Sequence, residues 1–206
     1  MSSDPCIYIV DDDYAVCDGL TMVIENAGFT CQAFQSAEKF LQSYCPDQLG
    51  CLLLDINMPG MSGYELQAEL NRRNITLPII FLTAYGTIPM TVRAMKAGAS
   101  DFLTKPVPSK LLIERLHSVL QQATERQAEA QAKELLCRRL NELTARELEV
   151  FPLIVEGFTN KEIARQLGIS YRTIEVHRAR ILQKTGITSY LELARLYDSC
   201  KLPPRS

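Results

Sequence analysis

Cys51-Leu52-Leu53-Leu54-Asp55-Ile56-Asn57-Met58-Pro59-Gly60 is the stretch that decides how this chain is read. Four consecutive apolar residues bounded by turn formers have the pattern of a β-strand covered on both faces. The run stops at a carboxylate, Asp55, and Pro59-Gly60 breaks the backbone just beyond it. In an open parallel sheet, ligands gather outside the carboxyl ends of strands, so Asp55 is a candidate for chemistry rather than a surface charge.

Working outward, the same kind of unit recurs. Residues 7–10 form a β-prone run that ends at Asp11-Asp12-Asp13, and Ala15, Val16, Leu20, Val23, Ile24 and Ala27 follow at helical spacing with Gly28 as a stop. Further strands are expected at 29–34, 77–82 and 101–104, with helices near Phe40, over Tyr64 to Leu70, and over 87–97. Strands alternating with short helices predict a doubly wound parallel sheet of five strands, here over residues 1–122.

Polar residues then collect at the same ends of those strands: Asp11 and Asp12 after the first, Asp55 after the third, Thr83 after the fourth, Lys105 after the fifth. Taken singly, each has an ordinary reading as a turn residue, a β-branched strand end or a solvated lysine. Taken together, carboxylates facing one another call for a bridging cation. Open oxygen donors suit Mg²⁺, which keeps water and completes its shell with phosphate. Lys105 adds a charge for a phosphoryl oxygen and Thr83 a hydroxyl donor. The chemistry expected of this set is phosphoryl transfer to a carboxylate.

Asp11-Asp12, Asp55-x-x-Met58-Pro59-Gly60-Met61-Ser62-Gly63, Thr83-Ala84 and Lys105-Pro106 resemble the motif set of a response-regulator receiver domain. The resemblance implies a flavodoxin-like fold in which Asp55 takes phosphate from a histidine kinase. It implies Mg²⁺ on Asp11, Asp12, Asp55 and the Asn57 carbonyl, a switch formed by Thr83 and Phe102, and a cis Lys105-Pro106 bond. Tyr85 is expected to shield the phosphate. Asp11-x-Asp13 with Thr83 and Lys105 is also superficially similar to the haloacid-dehalogenase phosphatases. Those need a further acidic pair after their lysine, where this chain has Pro106-Val107-Pro108.

Residues 109–140 contain neither Gly nor Pro, and helix formers dominate. Leu112, Leu116, Val119 and Ala123 can pack on the sheet. Continuing that register puts Arg126 and Lys133 on the same stripe, against a strong coiled coil, so 123–140 is expected to be an exposed helical connector.

The net charge of −2 conceals an uneven distribution, with −6 over residues 1–125 and +2 over 141–206. That asymmetry favours two domains with different partners. In the last 66 residues, from 141 to 206, Thr144 with Glu147 and Thr159 with Glu162 read as capping boxes. Leu148, Phe151 and Val155 face a core, and Pro152 is expected to distort its helix. Two helices around Gly168-Ile169-Ser170 match a helix-turn-helix, and residues 159–184 carry a net +4. Arg172, Glu175, Val176 and Ala179 share a face fit for base edges; Lys161, Thr173, His177, Arg178, Arg180 and Lys184 complete the expected DNA-binding set, the last several on phosphates.

Thr144-x-Arg146-Glu147, Thr159-Asn160-Lys161-Glu162-Ile163-Ala164, Thr173-Ile174-Glu175-Val176-His177 and Ile181-x-x-Lys184 resemble the LuxR/FixJ-type DNA-binding domain, although Glu175 stands where many relatives have lysine. That family adds a fourth helix, here over 191–197. The resemblance of both halves implies a FixJ-class transcription regulator: a histidine kinase as phosphodonor, Mg²⁺, a homodimer when phosphorylated, and promoter DNA as ligand, with no catalysis beyond the receiver's own phosphoryl transfer and hydrolysis. Seven cysteines without a C-x-x-C pair, no ~20-residue apolar run and no signal-peptide pattern lead to the expectation of a cytoplasmic protein with free thiols and no membrane contact.

Overall fold

The computed structural model describes residues 5–45, 49–84 and 86–186. Tyr85, Cys200 and the expected fourth helix at 191–197 lie outside the described residues. The chain divides into two compact units, residues 1–126 and 127–206.

In the first unit, strands β1 (Cys6–Val10), β2 (Thr30–Phe34), β3 (Gly50–Asp55), β4 (Ile79–Thr83) and β5 (Asp101–Thr104) form one parallel sheet in the order β2-β1-β3-β4-β5. Helices α1 (Tyr14–Asn26), α2 (Ala37–Ser43), α3 (Gly63–Arg72) and α4 (Ile88–Lys96) alternate with the strands, and α5 (Ser109–Leu140) follows the last. The doubly wound sheet expected from the sequence is therefore present. Strand alternation sorts the core into two faces. Tyr8, Val10, Leu52, Leu54, Ile79 and Phe81 pack with Phe40, Leu66, Leu70 and Ala94 from α2, α3 and α4. Ile7, Ile9, Cys51, Leu53, Ile80 and Leu82 pack with Cys17 and Ile24 of α1 and Leu112, Leu116, Val119 and Leu120 of α5. All six residues of β3 are buried, as its uninterrupted apolar run demands. The Lys105-Pro106 bond is cis.

The turn after β3 explains the Pro-Gly-Met-Ser-Gly run. Gly60 has φ +75°, a conformation that side chains disfavour. Gly63 donates its N–H to the Ile56 carbonyl (3.0 Å), and a Cβ there would overlap the Asp55 carbonyl oxygen. Ser62 caps α3 in a capping box with Glu65, so helix start and strand end are built against each other.

α5 is one helix of 32 residues, and residues 124–135 are exposed, as a connector requires. In the second unit, α6 (Ala145–Val155), α7 (Asn160–Leu167) and α8 (Tyr171–Thr185) enclose Val150, Phe151, Ile154, Ile163, Ile174 and Ile181, together with Leu140 and Leu143. Leu140 thus belongs to the helical core, one residue before the boundary expected at 141. Both expected capping boxes form. Pro152 lies inside α6 without ending it, because the helix runs on to Val155. Among the described residues no helix is long and apolar enough to cross a membrane, and no disulfide joins the six described cysteines to one another.

Candidate functional site

Strand register assembles the first site. Val10 pairs with Leu54, so Asp11 and Asp55 leave adjacent strands side by side. Asp55 pairs with Leu82 and Thr83 with Thr104, which brings Thr83 and Lys105 to the same edge. The Lys105 N–H donates to the Thr83 carbonyl (2.8 Å) and fixes the base of the lysine.

The side-chain geometry follows. Lys105 Nζ donates to Asp11 Oδ2, and to Asp55 Oδ1 at 2.6 Å. The remaining Asp55 oxygen, Oδ2, accepts the Asn57 N–H at 2.7 Å. Asp11 is 2 % exposed and Asp55 7 %. Burial pushes the Asp11 carboxyl above the ordinary aspartate range, and the neighbouring Lys105 and the Asp13 N–H pull against that rise. Burial alone would lower Lys105, but its bonds to Asp11 and Asp55 outweigh that and hold the ammonium above its ordinary range. Charge balance here is two carboxylates on one cation, leaving net negative charge at the carboxyl ends of the strands.

The three consecutive aspartates do different work. Asp11 is buried and paired; Asp12 is exposed; Asp13 caps α1, accepting from Ala15 N–H at 2.8 Å. Asp13's capping role was not part of the sequence expectation, although an aspartate ahead of a helical pattern is its usual signal. Among the described residues no three acidic, His or Cys side chains close on one point. The donor set of Asp11, Asp55 and exposed Asp12 is nonetheless all hard oxygen at an open strand edge, which fits an ion that keeps part of its water shell. The expected ligand Asn57 has its N–H on Asp55. Thr83 is fully buried at the end of β4, and Phe102 is half-buried, its ring 6.3 Å from that of Phe81.

The second candidate site is the α7–α8 pair. Thr159 caps α7; Gly168, at φ +67°, ends it; Ser170 caps α8 and accepts the Thr173 N–H at 3.1 Å. Ile163, Ile174 and Ile181 are fully buried and fix which side of α8 faces out. Arg172, Thr173, Glu175, Val176, Ala179 and Arg180 are exposed, as is Lys161 on α7. Gln183, one helical turn beyond Ala179, is exposed on the same face and was missed; the i, i+4 spacing was its only signal.

Two of the expected phosphate contacts also make bonds within their own unit. Lys184 Nζ donates to Glu147 Oε2 (2.7 Å) and to the Glu142 carbonyl (3.1 Å). Arg178 donates to Asn160 Oδ1 at 2.7 Å and to the Phe158 carbonyl at 3.4 Å. Both tie α8 to other parts of its own unit, and Lys184 is the cation that the buried carboxylate of Glu147, 1 % exposed, needs. His177 is half-buried, and its buried Nδ1 makes no hydrogen bond among the described residues. Arg139, also unforeseen, donates to the Thr185 carbonyl (2.6 Å) at the end of α8, where the helix leaves acceptors open.

Comparison with known proteins matches both units. Residues 7–117 match the response regulator receiver domain, and residues 141–197 match the LuxR family of bacterial regulatory proteins. Nodulation protein W of Bradyrhizobium diazoefficiens is 36% identical over 198 residues, covering 96% of this chain and 87% of that protein. Transcriptional regulatory protein FixJ of Azorhizobium caulinodans is 38% identical over 190 residues, 92% of this chain and 90% of its own length. Among solved structures, response regulator StyR shares 43% identity with TM-score 0.79, covering 96% of this chain and all (100%) of that one. Full-length FixJ from B. japonicum shares 35% identity with TM-score 0.60, covering 97% of this chain and 98% of the other.

Proposed function

This chain belongs to the two-component response regulators that join a receiver domain to a LuxR-type DNA-binding domain, and we propose that phosphorylation of Asp55 by a partner histidine kinase promotes its dimerisation and sequence-specific DNA binding. The observation that carries this is the pairing of Asp55 and Asp11 on one ammonium, Lys105, at the carboxyl edge of a parallel sheet.

An Asp55 carboxylate oxygen attacks the phosphorus of the kinase's phosphohistidine; the P–N bond breaks and the imidazole nitrogen keeps its electron pair and takes up a proton. Asp11, Asp12, Asp55 and the Asn57 carbonyl are the residues that would hold Mg²⁺, which supplies charge neutralisation for phosphoryl oxygens. Lys105 then has a new anionic partner in place of a bare carboxylate. Thr83 supplies the hydroxyl that follows the phosphoryl group, and Phe102, half-buried beside Phe81, is the side chain free to repack behind it.

Ile88, at 82 % exposed, with Val92 and Met95, puts large apolar side chains on the outer surface of α4. Ile88 and Val92 border a groove of about 500 Å³ lined also by Thr87, Phe102 and Leu111. Exposed apolar side chains around a groove mark a contact surface, and two receivers meeting there would pair the second units. Those units would engage half-sites about one DNA turn apart, with Arg172, Thr173, Glu175 and Val176 toward base edges and Lys161 and Arg180 on phosphates.

The test treats full-length protein with acetyl phosphate and Mg²⁺, then measures sedimentation and selection of DNA from a random library at one stated salt concentration. Wild type is expected to dimerise and to enrich a two-fold symmetric site; Asp55→Asn is expected to do neither. Equal dimerisation by Asp55→Asn under phosphodonor would overturn the assignment.

A further inference from the structure

Helix α4 is weakly anchored by apolar packing: of its nine residues only Ala94 is fully buried. What holds it is a set of side-chain donors from α3. Tyr64 Oη donates to the Met90 carbonyl (3.1 Å), Gln67 Nε2 to the Ala94 carbonyl (3.2 Å) and Asn71 Nδ2 to the Ala97 carbonyl (3.0 Å). The donors recur at i, i+3, i+7 and the acceptors at i, i+4, i+7, one rung per helical turn. Gln67 is only 2 % exposed, so its amide has no water to turn to. The Ala97 carbonyl belongs to the cap of α4, where intrahelical partners run out, and the Ala94 carbonyl also accepts the Ala99 N–H at 3.1 Å. The Arg93 guanidinium lies 4.6 Å above the Tyr64 ring, at the same rung.

We propose that this three-rung ladder is a register lock on α4. It holds the helix in the position that opposes self-association, and phosphorylation of Asp55 acts against it. The proposal rests on the function inferred above. Two observations carry it further. On one face of a helix carbonyls repeat about once per turn, about 5.4 Å along the axis, so a slide of part of a turn takes all three rungs out of register together. A helix held in this way has discrete positions rather than a continuum. By helical periodicity the acceptors at 90, 94 and 97 lie on the side away from Ile88, Val92 and Met95, the exposed apolar residues. The lock therefore sets the presentation of that surface from behind. The register described is the one found while Lys105 bridges unmodified Asp11 and Asp55.

The test uses Gln67→Leu, which replaces the amide by an apolar group of similar size, and Tyr64→Phe, which removes one hydroxyl and keeps the ring. Dimerisation of the full chain is measured by sedimentation with and without acetyl phosphate and Mg²⁺, in wild-type and Asp55→Asn backgrounds. Each variant is expected to dimerise about 25-fold more tightly than wild type without phosphodonor, because each of the two protomers loses one net hydrogen bond worth about fivefold. The gain should persist in the Asp55→Asn background. A merely structural role would lower the melting temperature and leave the phosphodonor-free dimer constant alone. Should Gln67→Leu fail to fold, Tyr64→Phe decides. If wild type dimerises with phosphodonor while folded ladder variants keep its phosphodonor-free constant within twofold, the lock alone is overturned. If wild type gains no dimer from phosphodonor, the phosphorylation reading falls, and the lock with it.

Discussion

Replacing Lys105 by Met tests the electrostatics of the cleft directly. The substitution keeps the length and apolar stem of the side chain and removes the only cation that the described bonds place on Asp11 and Asp55. Two carboxylates, 2 % and 7 % exposed, are left facing each other. Losing one member of a buried charge pair costs about 3–5 kcal/mol, and partial solvent access to Lys105 puts the expectation at the low end, about 3 kcal/mol in the absence of divalent ions. The proposed Mg²⁺ competes with the ammonium for the same oxygens, so the variant should bind the ion more tightly than wild type. At an ion concentration of about 100 times the dissociation constant, binding restores about 2.7 kcal/mol, nearly the whole loss. Chemical denaturation with and without MgCl₂, together with calorimetric titration of the ion, provides the readout. The variant should be least stable without Mg²⁺, regain most of its stability with it, and still accept phosphate from acetyl phosphate more slowly than wild type. An Mg²⁺ affinity equal to or weaker than that of wild type would refute the competition argument.

Burial raises the Asp11 carboxyl, so protons compete with the ion there at higher pH than at an ordinary aspartate; Mg²⁺ affinity, read by calorimetry, should fall as pH drops through that raised range, and affinity flat down to the ordinary aspartate range would contradict it. Burial opposes ionisation of Glu147, but Lys184 and Thr144 outweigh it and hold the carboxyl below its ordinary value of 4.5. Its contribution to stability is therefore complete above pH 4.5 and lost as pH falls through the depressed value. Glu147→Gln should flatten that acid limb of the melting curve, and an unchanged limb would show that other carboxylates dominate it. Gly63→Ala should cost about 1–3 kcal/mol by forcing α3 away from the Asp55 carbonyl, measured by urea unfolding, because a Cβ has no room there.

Much of this was legible in the sequence, and the reasons differ between parts. The buried strands announced themselves as apolar runs, and the capping boxes at Thr144 and Thr159 as a spacing rule, because both depend on neighbours in sequence. The strand-end residues Asp11, Asp55 and Lys105 could be brought together on paper because a parallel sheet aligns its carboxyl ends. Side chains whose partners are distant carbonyls could not be read at all. Tyr64, Gln67 and Asn71 look like an ordinary polar helix face until α4 is placed beside them. Lys184 and Arg178 show a related limit: a basic residue on a helix of a DNA-binding motif reads as a phosphate contact, and nothing local shows that it also bonds Glu147 or Asn160.

The sheet order carries a consequence for how the chain is made. Of the five strands β1 is made before the others, and it lies between β2 and β3. Its α1-side face is finally covered by Leu112, Leu116, Val119 and Leu120, which arrive only after β5. During vectorial synthesis Ile7, Ile9, Cys51, Leu53, Ile80 and Leu82 therefore wait with only α1 against them until about residue 120 has cleared the exit tunnel. A ribosome pausing shortly before that point would display a half-dressed sheet to chaperones, whereas a pause twenty residues later would find the domain closed.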